Sequence, residues 1–250
     1  MTMIWFHDRL RPAAEVAIDP ADRGFTLGDG LFETLACRNG AVDHLDAHLA
    51  RLVAGARLLD IPLPLPPEKL ADALAATLVA SGLAEASLRL TLTRGPGPRG
   101  LPPPLRPVPT LLITAGPLPP PLPPARLIIA SVTRRNEHSP LSRIKSLNFL
   151  DNVLARQEAL RAGADDALLL NTAGRIAEAT AATLFAVIDG VLVTPPLADG
   201  ALPGVMRGVI LVERGAEERS LTRGDLARAS ELFLSNSLGL RLGSLVRGLG

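Results

Sequence analysis

Apolar positions recur along this chain in two rhythms, one helical and one strand-like. In residues 43–60, Leu45, Leu49, Leu52, Val53, Ala56 and Leu59 fall at helical spacing, with Asp43 as N-cap and Pro62 as terminator, which predicts a first long helix. Residues 68–81 repeat the pattern and stop at Gly82. Beyond them Leu88, Leu90 and Leu92 alternate with polar neighbours, as in a half-buried strand. Short strand-like pieces at 3–6 and 13–18 open the chain, and residues 22–42 read as turn, strand and a second turn at Asn39-Gly40. From Pro102 to Pro124 eleven prolines surround one possible strand at 110–115. Proline at that density resists helix interiors and central sheet, so an interdomain connection is expected there.

The second half alternates more cleanly. It predicts a strand at 126–132, an amphipathic helix at 145–162 stopped by Gly163, and strands at 167–170, 183–188 and 191–193, the last two joined at Asp189-Gly190. Helices at 205–213 and 222–229 and a strand at 231–234 follow. The expected fold class is α/β (α+β): a small N-terminal α+β domain over 1–115, a Pro-rich linker over 116–125 and a larger domain over 126–250.

Composition narrows the function. The 250 residues are 47% hydrophobic and 20% charged, an ordinary globular mixture. A net charge of +1, 3% aromatics and no tyrosine supply neither the basic excess nor the stacking platforms of a nucleic-acid binder. One cysteine, Cys37, and the scattered His7, His44, His48 and His138 make no metal framework, and a reducing cytoplasm is expected. His44 and His48, four apart, read as surface or capping residues, and Asp29 between two glycines reads as a turn former. The opening segment is broken by His7, Asp8, Arg9 and Arg11, so neither export nor membrane insertion is expected.

Of 26 cationic residues only Lys69 and Lys145 are lysines. A chain that uses arginine wherever a cation suffices has reason to keep a lysine for its amine, which can lose a proton or form an imine. Lys69 lies in a polar helix start; Lys145 lies between Ile144 and an apolar helix pattern. Glu178 follows a turn and precedes a strand. An amine and a carboxylate of this kind are either a buried ion pair or the two groups that pyridoxal 5'-phosphate needs at its aldehyde and its ring nitrogen. A phosphate could rest at the helix start Gly204-Val205-Met206 and at Ser235-Asn236-Ser237. Gly95, Gly97 and Gly100 in RGPGPRG match dinucleotide spacing, but the neighbouring prolines preclude the helix such a site requires. The segment reads as a stiff loop with Arg94 and Arg99 free to meet an anion.

Together these pieces resemble the fold-type IV, class IV aminotransferase family of pyridoxal phosphate enzymes, with a D-amino-acid transaminase-like fold. The resemblance covers nearly the whole chain: DRGFTLGDGLFETL at 22–35, HLARL at 48–52, RGPGPRG at 94–100, KSLNFLDNVLAR at 145–156, ALLLNTAGRIAEATAATLF at 167–185, LPGVMRG at 202–208 and LSNSLGL at 234–240. It implies Lys145 as Schiff-base lysine and general acid/base, Glu178 as partner of the pyridine nitrogen, and Arg51, Val205, Met206 and Ser237 as phosphate ligands, with Asn148 a further cofactor contact. Met206 stands where a threonine is common, and a tyrosine that many relatives place near the lysine is missing. Among the family's reactions the pattern is most like aminodeoxychorismate lyase: Thr34 stands where the lyases have a catalytic threonine, and Arg99 and Arg94 would bind substrate carboxylate. Glu33 is shared with transaminases, so an aminotransferase of D- or branched-chain amino acids is the alternative. The resemblance also implies a small amino-acid-like substrate and a homodimer whose partner loop closes the site.

Overall fold

The computed structural model describes residues 2–246. They form two units: one runs to Pro119 and takes in Ile144–Asn148, and the other comprises Pro120–Arg143 with the described residues from Phe149 onward.

The first unit is built on an antiparallel sheet of β1 (Met3–Phe6), β2 (Arg9–Pro12), β3 (Gly30–Arg38), β4 (Ala41–Val42), β5 (Ala86–Thr93) and β6 (Thr110–Pro117), in the order β2-β1-β6-β5-β3-β4. Alternation sends Leu31, Leu35, Leu88, Leu90, Leu92 and Ile113 to one face, where they pack with Leu49 and Leu52 of α2 (Leu45–Leu58) and with Leu70 and Leu74 of α3 (Pro67–Ser81). Phe32, Thr34 and Arg89 take the opposite face.

Several local expectations change. The piece at 13–18 is not a strand: Pro12 ends β2, and Ala13–Glu15 make a single 3-10 turn. Helix α2 is preceded not by an Asp43 cap but by His44 in the left-handed conformation, while Asp43 pairs with Arg38. A five-residue helix, α1 (Arg23–Leu27), stands where a turn was expected, because the Asp22 carboxylate accepts from Gly24 N–H at 2.7 Å.

The largest change concerns the stretch around Lys145. The helix expected from 145 starts later, as α4 (Leu150–Arg161), and Ile144–Asn148 are extended against β3. Phe32 N–H donates to Lys145 O at 2.9 Å and Leu147 N–H to Gly30 O at 2.9 Å. Two glycines make this docking possible. A Cβ on Gly30 would lie 2.5 Å from Leu92 O and 2.8 Å from Leu147 Cδ1. Gly28 has φ +67° and leaves room for Asn148, whose Nδ2 donates to its carbonyl at 3.1 Å. Hence the expected continuous domain over 126–250 is interrupted: hydrogen bonding assigns five residues of its stretch to the first unit. The linker also narrows, since β6 reaches Pro117 and β7 begins at Ala125.

The second unit carries a sheet of β7 (Ala125–Ile129), β8 (Asp166–Leu170), β9 (Ile176–Ala179), β10 (Thr183–Ile188), β11 (Val191–Thr194), β12 (Glu217–Glu218), β13 (Glu231–Asn236) and β14 (Gly239–Leu245), in the order β12-β11-β10-β13-β14-β7-β8-β9. Leu127, Leu168, Leu184, Ala186 and Leu234 share one buried cluster, to which α6 (Arg223–Arg228) adds Leu226. Elsewhere Ala155 and Ala159 of α4 pack with Ile128 and Leu169, and Ile210 of α5 (Val205–Glu213) packs with the stacked rings of Phe185 and Phe233. Among the described residues no helix is long and apolar enough to cross a membrane.

Candidate functional site

The first unit presents Lys145 on the sheet face opposite its helices. The half-buried side chain places Nζ 4.4 Å from the centroid of the buried Phe32 ring, and Arg89 Cζ lies 3.9 Å from the same centroid. Thr34, two residues along β3, opposes Arg89 across the β3–β5 ladder and shares the Phe32 face. A lysine amine and a guanidinium therefore meet one aromatic ring, and the Thr34 side chain shares its sheet face. The alternation of β5 already pointed Arg89 away from the core, but its ring contact depends on partners distant in sequence and was missed.

On the helix-facing side, Glu33 interrupts an apolar stripe and is 1% exposed. Arg51 holds it in a fork, Nε to Oε1 at 2.8 Å and Nη2 to Oε2 at 2.6 Å. His48 Nδ1 lies 2.7 Å from Oε2 and must donate, because an ionised carboxylate only accepts. His48 is thus a core residue at 1% exposure, not the surface histidine that spacing suggested. Burial raises the Glu33 pKa, but hydrogen bonds and charge from Arg51, then His48, more than reverse this and hold it below the ordinary glutamate value. Its ionisation therefore stabilises the fold above the ordinary glutamate range, and that contribution is lost as pH falls through the lowered folded value. Glu33→Gln should cost about 3 kcal/mol at neutral pH by leaving the Arg51 guanidinium uncompensated, or roughly 6–12 °C in Tm. The gap from wild type should narrow on acidification, and a pH series of thermal melts checks both.

Arg94 departs from expectation. It is buried, with Nε to Asp29 Oδ2 at 2.7 Å, Nη2 to Asp29 Oδ1 at 3.1 Å, and further bonds to the carbonyls of Leu59 and Asp60 at 2.6 and 2.9 Å. These internal acceptors take the donors a substrate carboxylate would need, so Arg94 is structural. Asp29 is correspondingly more than a turn former. Burial raises its pKa, and Arg94 and Arg23 overcome this and lower it. Arg99 is exposed and makes no hydrogen bond or ion pair among the described residues.

In the second unit Glu178 lies on edge strand β9 and is 7% exposed. Its carboxylate faces Arg135 Nε at 3.1 Å and accepts from Leu202 N–H at 3.0 Å. Helix α5 begins at Val205 and Met206, both half-buried, and Gly204 before them provides no side-chain cap. A Cβ on Gly204 would lie 3.1 Å from Thr183 Oγ1. Across the ladder from Thr183 stands Ser235, whose buried Oγ has no hydrogen-bond partner among the described residues; the half-buried Ser237 follows just past β13. An uncapped helix start beside an orphaned hydroxyl suits a phosphate. Within the second unit the carboxylate and the anion cradle suit the ring nitrogen and the phosphate of pyridoxal 5'-phosphate, with Ser235 and Thr183 added to the sequence-derived residues, and the first unit by itself offers the half-buried Lys145 amine.

The residue types that each unit carries suit an enzyme that works through a lysine amine and a phosphate-bearing cofactor. The chain belongs to the class IV aminotransferase family, whose profile (Amino-transferase class IV) matches residues 30–242, and it is a pyridoxal phosphate-dependent lyase or aminotransferase. A putative branched-chain-amino-acid aminotransferase of Methanocaldococcus jannaschii is 36% identical over 241 residues, covering 94% of this chain and 84% of that protein. The crystal structure of 4-amino-4-deoxychorismate lyase from Pseudomonas aeruginosa is similar at 36% identity and TM-score 0.83, covering 98% of this chain and 91% of that one. The Escherichia coli branched-chain amino acid aminotransferase is similar at 26% identity and TM-score 0.92, covering 99% and 87%.

Proposed function

We propose that this protein is an aminodeoxychorismate lyase, converting 4-amino-4-deoxychorismate to 4-aminobenzoate and pyruvate. The observation that carries the reading is the Thr34 hydroxyl on the sheet face where Lys145 Nζ and Arg89 meet the Phe32 ring; similarity to the Pseudomonas aeruginosa lyase supports it. Pyridoxal 5'-phosphate, when bound, supplies a ring that withdraws electrons from the carbon bearing the substrate's amine. Lys145 and Glu178 would hold its two ends, and Val205, Met206 and Ser237 its phosphate; Arg51, which the resemblance implies as a further phosphate ligand, is the fork partner of Glu33. Lys145 Nζ removes the proton from the amine-bearing ring carbon. The C–O bond to the enolpyruvyl group then breaks, the ring becomes aromatic, and Lys145, assisted by Thr34 Oγ1, returns a proton to the departing enolpyruvate to give pyruvate. Arg89, in place of Arg94, offers a guanidinium to a substrate carboxylate beside Lys145, and Arg99 offers a second, within the homodimer that the family resemblance implies.

The alternative is a branched-chain aminotransferase, supported by similarity to the Methanocaldococcus jannaschii protein. Cofactor-loaded protein should release 4-aminobenzoate and pyruvate in equal amounts from 4-amino-4-deoxychorismate, with slow conversion of the cofactor to its amine form by L-leucine, D-alanine or D-glutamate. Thr34→Val should lower the lyase rate about 100-fold without weakening cofactor binding. Fast amine-form conversion with no 4-aminobenzoate would establish the aminotransferase and leave Thr34 a packing residue.

A further inference from the structure

The loop that follows β5 is fastened from α1 by one buried cation. Arg23, 4% exposed, sends Nη1 to the carbonyls of Gly100 (3.0 Å) and Pro102 (3.3 Å) and Nη2 to that of Leu101 (2.9 Å), while its Nε meets Asp29 Oδ2 at 2.8 Å. The loop lies directly on the arginine stem: a Cβ on Gly97 would come within 2.8 Å of Arg23 Cδ. Backbone bonds from Arg23 N–H to Gly95 O (3.0 Å) and from Gly97 N–H to Ala21 O (3.1 Å) complete the attachment. Beneath it, Asp22 accepts from the hydroxyls of Thr93 and Thr110 at 2.9 and 2.7 Å.

Burying a guanidinium is unfavourable unless its donors find partners. Here the partners are three consecutive carbonyls that come immediately after Arg99. Arg99 itself is exposed, unpaired among the described residues, and lines a surface groove of about 460 Å³ between residues 97–100 and Pro20, Ala21, Thr26 and Leu27. The side chain with no structural task is the one the scaffold holds in place. We propose that Arg23 is a positioning residue for substrate recognition: by fixing the carbonyls of Gly100, Leu101 and Pro102, it sets the point at which Arg99 meets a substrate carboxylate. The inference rests on the reading of Arg99 as a carboxylate-binding group. Lysine could not replace Arg23, because one ammonium cannot span three carbonyls and a carboxylate as the planar fork does.

The test uses cofactor-loaded enzyme and whichever substrate the wild type converts, 4-amino-4-deoxychorismate or L-leucine with 2-oxoglutarate, since all carry carboxylates. Arg23→Lys should raise KM about 10-fold with kcat within about two-fold and the cofactor absorbance unchanged. Tryptic cleavage after Arg99 should accelerate about 10-fold as the loop loosens. Arg99→Gln should raise KM comparably, and adding Arg23→Lys to it should change KM by less than about two-fold, because both act through one contact. Gly97→Ala, which displaces the Arg23 stem and keeps its charge, should reproduce the KM rise at smaller size and serves if Arg23→Lys fails to fold. If Arg99→Gln raises KM while Arg23→Lys and Gly97→Ala do not, or if the effects of Arg23 and Arg99 multiply, the positioning role is overturned. If Arg99→Gln leaves KM unchanged, the carboxylate-binding reading of Arg99 fails and the proposal with it.

Discussion

Lys145→Ala is expected to abolish turnover, by at least about 1,000-fold, and to remove the visible absorbance of the cofactor-loaded protein. Lys145 Nζ lies over the Phe32 ring on a sheet face that carries no other amine, and the remaining lysine, Lys69, is an exposed residue ion-paired with Asp72 at 2.9 Å. Among the described residues no second amine is placed to take over. Lys145→Arg sharpens the experiment. It retains a cation for the Phe32 ring and the backbone bonds that dock Ile144–Asn148 on β3, so it should fold with the wild-type Tm. A guanidinium does not give up a proton at usable pH, so this variant should be as inactive and as colourless as Lys145→Ala. Spectrophotometry with excess pyridoxal 5'-phosphate, followed by a product assay, reads both variants. Residual absorbance or more than a trace of product in either would remove Lys145 from its assigned role.

Elements with a self-contained apolar stripe were legible in the sequence. Residues 68–81, 183–188 and 205–213 correspond to α3, β10 and α5 with at most one residue added, since α3 and α5 each turn an apolar stripe to one buried cluster and β10 is a short apolar run buried on both faces. What local pattern could not supply were the pairings made at long range. Residues 145–149 read as the first turn of a helix until the amide of Phe32 and the carbonyl of Gly30 claim their backbone. The spacing of His48 put it on the same helix as Arg51, but its role is set by Glu33 on a strand. Arg94 and Arg99 sit symmetrically in RGPGPRG, and only the presence of Asp29 beneath one of them separates a structural arginine from an exposed one. Arg89 was hidden by abundance: in a chain of 24 arginines a single outward-facing one carries no signal until its neighbours are known.

Glu178→Gln is the second substitution with a large expected effect, and it separates charge from shape. The glutamine keeps the length of the side chain and an oxygen for Leu202 N–H, but it removes the negative charge that faces Arg135. If the carboxylate serves to keep the cofactor's ring nitrogen protonated, kcat should fall about 100-fold while cofactor affinity changes by less than about 10-fold. Glu178→Asp, which retains the charge on a shorter arm, should fall between wild type and Glu178→Gln. A purely structural partner of Arg135 would behave otherwise. The buried guanidinium, its side chain 13% exposed, would be left uncompensated, so Tm would drop while the surviving folded enzyme kept its kcat. Measuring kcat per folded, cofactor-loaded molecule alongside Tm therefore discriminates the two roles. A fall in Tm accompanies either, whereas loss of kcat at full occupancy belongs only to a carboxylate that acts on the cofactor ring.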